Sequence, residues 1–251
     1  MLAKLIMELD IPDELNFSIN KSSLLHGVIM EQIDSEYAEK LHENRMNPFS
    51  MYLTRTKSGF EWTVCAYSEE AYSNIIEKLM CSHFDGFELK HNGGVRIGIK
   101  SKKLETKKKS ELMDEFYDKD AERYFNIHFR TPTSFKMNGR YIFYPDMELM
   151  YRNIMNKYNN SSDGVSVYDE DTLEQILKNS RITKYNLRSV LFHMEGVKIP
   201  AFTGDITIRV NGTDTMRNFV RLLFKHSEYS GIGIKCSLGM GAVELRKDDG
   251  R

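Results

Sequence analysis

No stretch of the 251-residue chain approaches the ~20 consecutive apolar positions that a membrane-spanning helix needs. The opening MLAKLIMELDIP alternates where a signal peptide would carry an unbroken apolar core, which predicts a soluble protein that stays inside the cell. Cysteine is scarce. Cys65, Cys81 and Cys236 are odd in number and far apart, which suits neither a disulfide framework nor the paired spacing of a zinc site, so they are expected as reduced structural thiols. Charge of one sign is also missing: the net charge of −1 gives no global pull toward nucleic acid, and any basic surface must be local. What is present is ordinary for a folded protein, 41% apolar and 28% charged, in a length that fits two compact halves.

Strict alternation over Leu2 to Leu9 predicts a first strand. Ser22 and Ser23 are placed to cap a helix through Leu24, Leu25, Val28, Ile29 and Ile33, and a second helical stretch carries Tyr37, Ala38 and Leu41. Met51 to Arg55 and Phe60 to Tyr67 read as a hairpin turning at Lys57-Ser58-Gly59. A helix over Ala71 to Met80 and an extended segment from Phe87 to Lys100, interrupted by Gly93 and Gly94, complete a βαββαβ order. The second half restarts with a strand at Tyr124 to Arg130. Helices follow at Asp146 to Tyr158 and Thr172 to Lys178, then long strands at Tyr185 to Met194 and Lys198 to Val210, a helix at Thr213 to Tyr229 and a strand at Gly241 to Leu245. The expected fold is therefore α+β, two tandem ferredoxin-like βαββαβ domains (1–118 and 119–251) with a cleft between them.

Local charge concentrates between Lys100 and Lys109, where Lys100, Lys102, Lys103, Lys107, Lys108 and Lys109 form either a solvated linker or a phosphate-binding stretch. Near the C-terminus, Gly231, Gly233, Gly239 and Gly241 stand in a G-x-G-x5-G-x-G pattern around Lys235 and Ser237. Four glycines so close together imply a sharply bent backbone whose peptide N–H groups, beside a lysine, suit phosphate oxygens. A nucleotide-binding P-loop is excluded because no Gly-Lys-Ser/Thr opens a helix, and only ten residues follow Gly241. The same shortage leaves no room for the helix and strand of a dinucleotide-binding unit. The segment HENRM (residues 42–46) begins like a zinc-binding H-E-x-x-H but carries Met46 where the second histidine belongs. His128 beside Arg130 reads as a solvated strand pair, and Arg217, Arg221 and Lys225 as a solvated helix face.

Taken together, the glycine-rich segment, TPTSFKMNGRYIFYPD (Thr131 to Asp146), IPAFTGDITIRVNG (Ile199 to Gly212) and LLHGVIMEQI with KLHE (Leu24 to Ile33, Lys40 to Glu43) resemble the repeat-processing endoribonuclease of CRISPR systems, a branch of the RAMP superfamily. The glycine loop alone marks only the superfamily. The resemblance implies a metal-independent, cofactor-free cut within each repeat of a precursor CRISPR RNA, releasing guide RNAs. The ribose 2′-hydroxyl attacks the adjacent phosphate, leaving 2′,3′-cyclic phosphate and 5′-hydroxyl ends. Such a reaction needs a base, an acid and a cation near phosphorus, and imidazole suits the first two.

By the same resemblance His42 occupies the family's catalytic position, with His26 as second choice. Met30 stands where some relatives carry a tyrosine, so His26 or Tyr37 is expected to take that role, with Arg45 neutralising phosphate charge. Gly231, Gly233, Lys235, Ser237, Gly239 and Gly241, together with Lys100, Lys102 and Lys103, are the expected RNA contacts. Subunits of a CRISPR effector complex are the further partners implied, with no membrane; a monomer and a homodimer both remain open. The rival reading is a RAMP subunit that holds guide RNA without cutting it.

Overall fold

In β1 (Leu2–Asp10) the residues Ala3, Leu5, Met7 and Leu9 are buried on one face, because a strand sends successive side chains to opposite sides. The computed structural model describes residues 1–12, 15, 17–44, 46–89, 94–117, 121–161, 169–194 and 196–247. After β1 come α1 (Ser22–Gln32), α2 (Ser35–Glu43), β2 (Phe49–Arg55), β3 (Phe60–Ala66), a helical segment α3 (residues 69–80), β4 (Gly86–Leu89) and β5 (Val95–Lys107). The strands form one antiparallel sheet in the order β2-β3-β1-β5-β4. Its inner face packs Trp62, Val64, Met51 and Leu53 against Leu25, Val28 and Ile29 of α1, Leu41 of α2 and Ile75, Ile76 and Leu79 of α3.

After α4 (Lys109–Asp114), the second half contributes β6 (Tyr124–Thr133), the short hairpin β7 (Phe135–Met137) and β8 (Arg140–Ile142), then α5 (Met147–Asn160) and α6 (Glu170–Asn179). The long pair β9 (Ser180–Met194) and β10 (Val197–Val210), α7 (Asp214–Ser230) and β11 (Val243–Arg246) complete it. The second antiparallel sheet runs β11-β6-β10-β9. Side-chain caps start its helices: Asp146, Asp169 and Thr213 accept the N–H groups of Leu149, Thr172 and Met216 at 2.9, 2.7 and 3.2 Å. Each satisfies one donor that the first helical turn leaves unpaired. Phe125, Ile127 and Phe129 of β6 enter a second core with Met150, Tyr151 and Ile154 of α5 and Val220, Leu223 and Phe224 of α7.

Several expectations are corrected. Ser22 and Ser23 do not cap α1; both are buried, and Ser22 Oγ donates instead to the Leu238 carbonyl at 3.3 Å, far along the chain. The segment expected to be extended from Phe87 to Lys100 is a hairpin, β4 pairing with β5 from Gly86 opposite Gly98 to Leu89 opposite Val95. Gly93, expected to interrupt it, lies outside the described residues. Most of the lysine-rich stretch is the outer half of β5, paired with β1 from Leu2 opposite Lys107 to Ile6 opposite Lys103, and so is no linker. The last strand starts at Val243, because Gly241, at φ 74°, still belongs to the preceding loop. The boundary expected at residue 118 lies outside the described residues, and Leu112 of α4 already packs into the second core, as do Leu2 and Tyr67.

Candidate active site

The glycine-rich loop leaves α7 at Gly231, whose N–H closes the helix on Ser227 O at 2.8 Å with φ at 69°. Its neck is tied by Ile232 N–H to Gly241 O at 2.8 Å, and its flanks by Ile234 N–H to Ser134 O and Gly241 N–H to Pro132 O, both at 3.0 Å. Between them Lys235, left-handed at φ 58°, enters a tight turn over Cys236–Leu238. All four glycines are buried. A Cβ at Gly233, Gly239 or Gly241 would fall well inside 3.0 Å of the Ser134 carbonyl, the Ser22 hydroxyl or the Ile232 carbonyl. These glycines therefore let protein approach protein, where the sequence suggested approach to a phosphate. Lys235 is the exposed side chain at the tip.

That tip crosses to the first half. Ser22 Oγ donates to Leu238 O, and Asn47 Nδ2 to Ser237 Oγ, each at 3.3 Å. The turn after α2 is held in the same way: Tyr67 Oη donates to the Asn47 carbonyl, and Asn160 Nδ2 to Met46 O at 3.2 Å. Between loop and helices lies a cavity of about 460 Å³, lined by His26, His42, Asn44, Asn47, Lys235 and Ser237, with Phe49, Tyr67, Asn153 and Lys157 deeper in its wall. A neighbouring cavity of about 380 Å³ shares His26, Lys235 and Leu238 and adds Glu31 and Glu88. His42 is exposed on the last turn of α2, whereas His26 is half-buried on α1, its ring stacked on Phe49 at 6.0 Å and 21°. Two imidazoles, an ammonium and a hydroxyl thus meet in one open cavity. That is the equipment for moving protons beside an anionic group.

Not every expected residue arrives there. Tyr37 is buried in the first core, its hydroxyl without a hydrogen-bond partner; burial, then the charge of Glu70, holds its pKa above the usual tyrosine range. It does not line the cavity. Arg45 lies outside the described residues. Lys100, Lys102 and Lys103 sit on β5 and are engaged locally. Lys100 pairs with Asp10 at 3.1 Å and Lys103 with Glu105 at 2.7 Å, while Lys102 donates to Cys81 O at 2.9 Å and lies over the Phe84 ring. None of the three lines either cavity. His128 is bonded to Asp205 at 2.8 Å, Arg246 reaches the same carboxylate at 3.0 Å, and Arg130 pairs with Glu244 at 2.8 Å, Arg130 also lining a separate cavity with Leu53, Thr54 and Arg55 of the first half. Asn153 and Lys157 were not foreseen. Their signal was a lysine on the buried stripe of α5, three residues after Ile154 and beside Tyr158.

A model of the family described as CRISPR-associated endoribonuclease Cas6 matches residues 127–243. The Cas6 endoribonuclease of Streptococcus thermophilus is 32% identical over 225 residues, which is 89% of this chain and 91% of that protein. The Mycobacterium tuberculosis enzyme is 33% identical over 243 residues, 96% of this chain and 77% of its own length. The chain belongs to the Cas6 family of CRISPR-associated endoribonucleases. Its task lies in CRISPR RNA processing. Solved Cas6 structures share the fold: a Cas6 product complex superposes with a TM-score of 0.81 at 20% identity, covering 98% of this chain and 100% of the other. A Thermus thermophilus Cas6 gives 0.73 at 19% identity, covering 98% of each. The region matched by the family model contains the glycine-rich loop and ends on β11.

Proposed function

We propose that this Cas6 cuts precursor CRISPR RNA within its repeats, without a metal ion, at the cavity between the glycine-rich loop and helices α1 and α2. The carrying observation is the convergence of His42, His26, Lys235 and Ser237, which come from three separate stretches of sequence, on one cavity of about 460 Å³. One imidazole takes the proton of the ribose 2′-hydroxyl and the other supplies a proton to the departing 5′-oxygen. Lys235 neutralises charge building on the phosphate, and the products carry 2′,3′-cyclic phosphate and 5′-hydroxyl ends. A Cas6 bound to its product and a Cas6 bound to a substrate mimic are among the structures that share this fold, and another is a histidine-to-alanine variant.

The strand orders β2-β3-β1-β5 and β11-β6-β10-β9 support reading each half as a ferredoxin-like unit, the second crossover of the first half being extended by β4. On that reading the active cavity lies between the units, one supplying imidazoles and the other the loop. Repeat RNA is the substrate, and subunits of a CRISPR effector complex are the partners its product would meet.

The test is a repeat RNA incubated with the protein in excess EDTA, followed by end-group analysis. Cleavage should persist, yield 2′,3′-cyclic phosphate ends, and stop when the nucleotide 5′ to the cut carries a 2′-deoxyribose. His42→Ala should abolish the cut while leaving RNA binding nearly intact. Loss of activity in EDTA, cutting of the deoxy substrate, or a full rate in His42→Ala would each overturn the corresponding part.

A further inference from the structure

Lys157 is buried, 4% exposed, on the face of α5 that points at the glycine-rich loop. Its ammonium lies 3.0 Å from Ser230 O, 3.0 Å from Gly231 O, 3.3 Å from Gly233 O and 3.0 Å from Cys236 Sγ. An ammonium has three protons, so these four acceptors occupy it fully and leave nothing for a ligand. A lysine is withdrawn from water at high cost and stays charged only where acceptors replace the lost solvent. Here every acceptor comes from the loop or its neck.

One turn earlier on the same helix, Asn153 Oδ1 accepts the Gly233 N–H at 2.8 Å. The peptides on both sides of Gly233 are therefore gripped from inside the second half. The backbone can bend around the ammonium because Gly231 and Gly233 take φ values of 69° and 91°. Two residues past Gly233 is Lys235, and four past it is Ser237, both lining the cavity that His42 also lines.

We propose that Lys157, assisted by Asn153, is the positioning residue of the RNA-holding loop: it gathers the loop's carbonyls and thiol around one buried charge, and so sets Lys235 and Ser237 against His42 without touching RNA. This rests on the proposed function above, for it assigns the origin of that site's geometry. The glycine pattern and the helix lysine are then two halves of one device, positive φ turning the carbonyls inward and the ammonium holding them there.

The test compares full-length Lys157→Met, Lys235→Ala and His42→Ala with the unaltered protein on a repeat RNA. It measures single-turnover cleavage at saturating protein, affinity for an uncleavable 2′-deoxy repeat across a salt series, and the pH profile of cleavage. Losing one or two hydrogen bonds to a charged group corresponds to roughly 10- to 100-fold. Lys157→Met should slow single-turnover cleavage by about that factor, while its pH profile and its slope of log affinity against log salt stay unchanged. Lys235→Ala should flatten the slope by about 0.7, one phosphate contact to single-stranded RNA. A normal cleavage rate in folded Lys157→Met overturns the proposal, because a residue that only stabilises the fold leaves the rate per folded molecule intact. A flattened salt slope in Lys157→Met also overturns it, since Lys157 would then touch phosphate itself. Should Lys157→Met fail to fold, Asn153→Ala takes its place. A rate loss with an unchanged slope supports the proposal and a normal rate overturns it. Full activity in His42→Ala would instead sink the underlying site reading, so the two failures are told apart.

Discussion

Acid should destabilise this Cas6 through one buried imidazole at the junction of its halves. His226 on α7 is fully buried, edge-on to Tyr67 from the first half at 5.5 Å and to Tyr158 at 5.1 Å. Ser161 Oγ donates to Tyr158 O at 2.6 Å, so its contact with His226 Nε2 at 3.1 Å makes Nε2–H the donor and leaves Nδ1 bare. Nδ1 has no partner. Protonation would place a second N–H there with no acceptor and a positive charge near Lys109 and Lys157. Burial first, then those two lysines, pushes the pKa from 6.5 down to about 3. The folded pKa lies below the unfolded one, so the unfolded chain takes up the proton first as pH falls. The stabilisation is complete above pH 6.5 and is lost at about 1.4 kcal/mol per pH unit between 6.5 and about 3. Between pH 7 and pH 5 this one group should cost about 2 kcal/mol. Urea unfolding at both pH values, with the unaltered protein and His226→Gln, isolates it from the titrating carboxylates. The variant should lose about 2 kcal/mol less over that interval. Equal losses in both proteins would refute the reasoning, placing the imidazole in contact with water.

Tyr37→Phe should cleave at the normal rate and unfold at equal or slightly higher urea, by up to about 1 kcal/mol, because the hydroxyl it removes is buried and unpaired; a large fall in cleavage would return Tyr37 to the catalytic set. Gly239→Ala, at φ 107° and with a Cβ driven into Ser22, should cost about 1–3 kcal/mol of backbone strain and lower cleavage, read by denaturant unfolding and single-turnover rate. A variant with normal stability would show that the loop and α1 are not packed as described. His42→Ala should bind repeat RNA within a few-fold of normal while cleavage falls to background, measured by filter binding and gel assay.

Much of this structure was legible because periodicity reports on one element at a time. Leu2 to Leu9 alternates, α7 shows its apolar stripe from Met216 to Leu223, and both agree with the observed elements. The errors fall where a residue's fate depends on a distant partner. Ser22 has the chemistry of a cap, yet its hydroxyl is taken by Leu238 O, 216 positions away. The lysines of β5 looked like a solvated run because their sequence neighbours are lysines too; their spatial neighbours are Asp10, Cys81 and Glu105. The glycine loop was recognisable, but what its glycines make room for was not: the atoms crowding them belong to Ser22, Ser134 and Ile232. His42 was proposed through resemblance, since an exposed imidazole on a short helix carries no local mark of catalysis. Lys157 was overlooked although its place on an apolar stripe is unusual, because a sequence shows the stripe and hides the carbonyls at its far side.

The tie from Ser22 to Leu238 and from Asn47 to Ser237 bears on how such enzymes can diversify. A recombinant joining the first half of one homologue to the second half of another would keep this seam only where the two donors supply matching groups at positions 22, 47 and 237. Where they do not, the hybrid is expected to lose stability, so the two segments are expected to descend as a single unit.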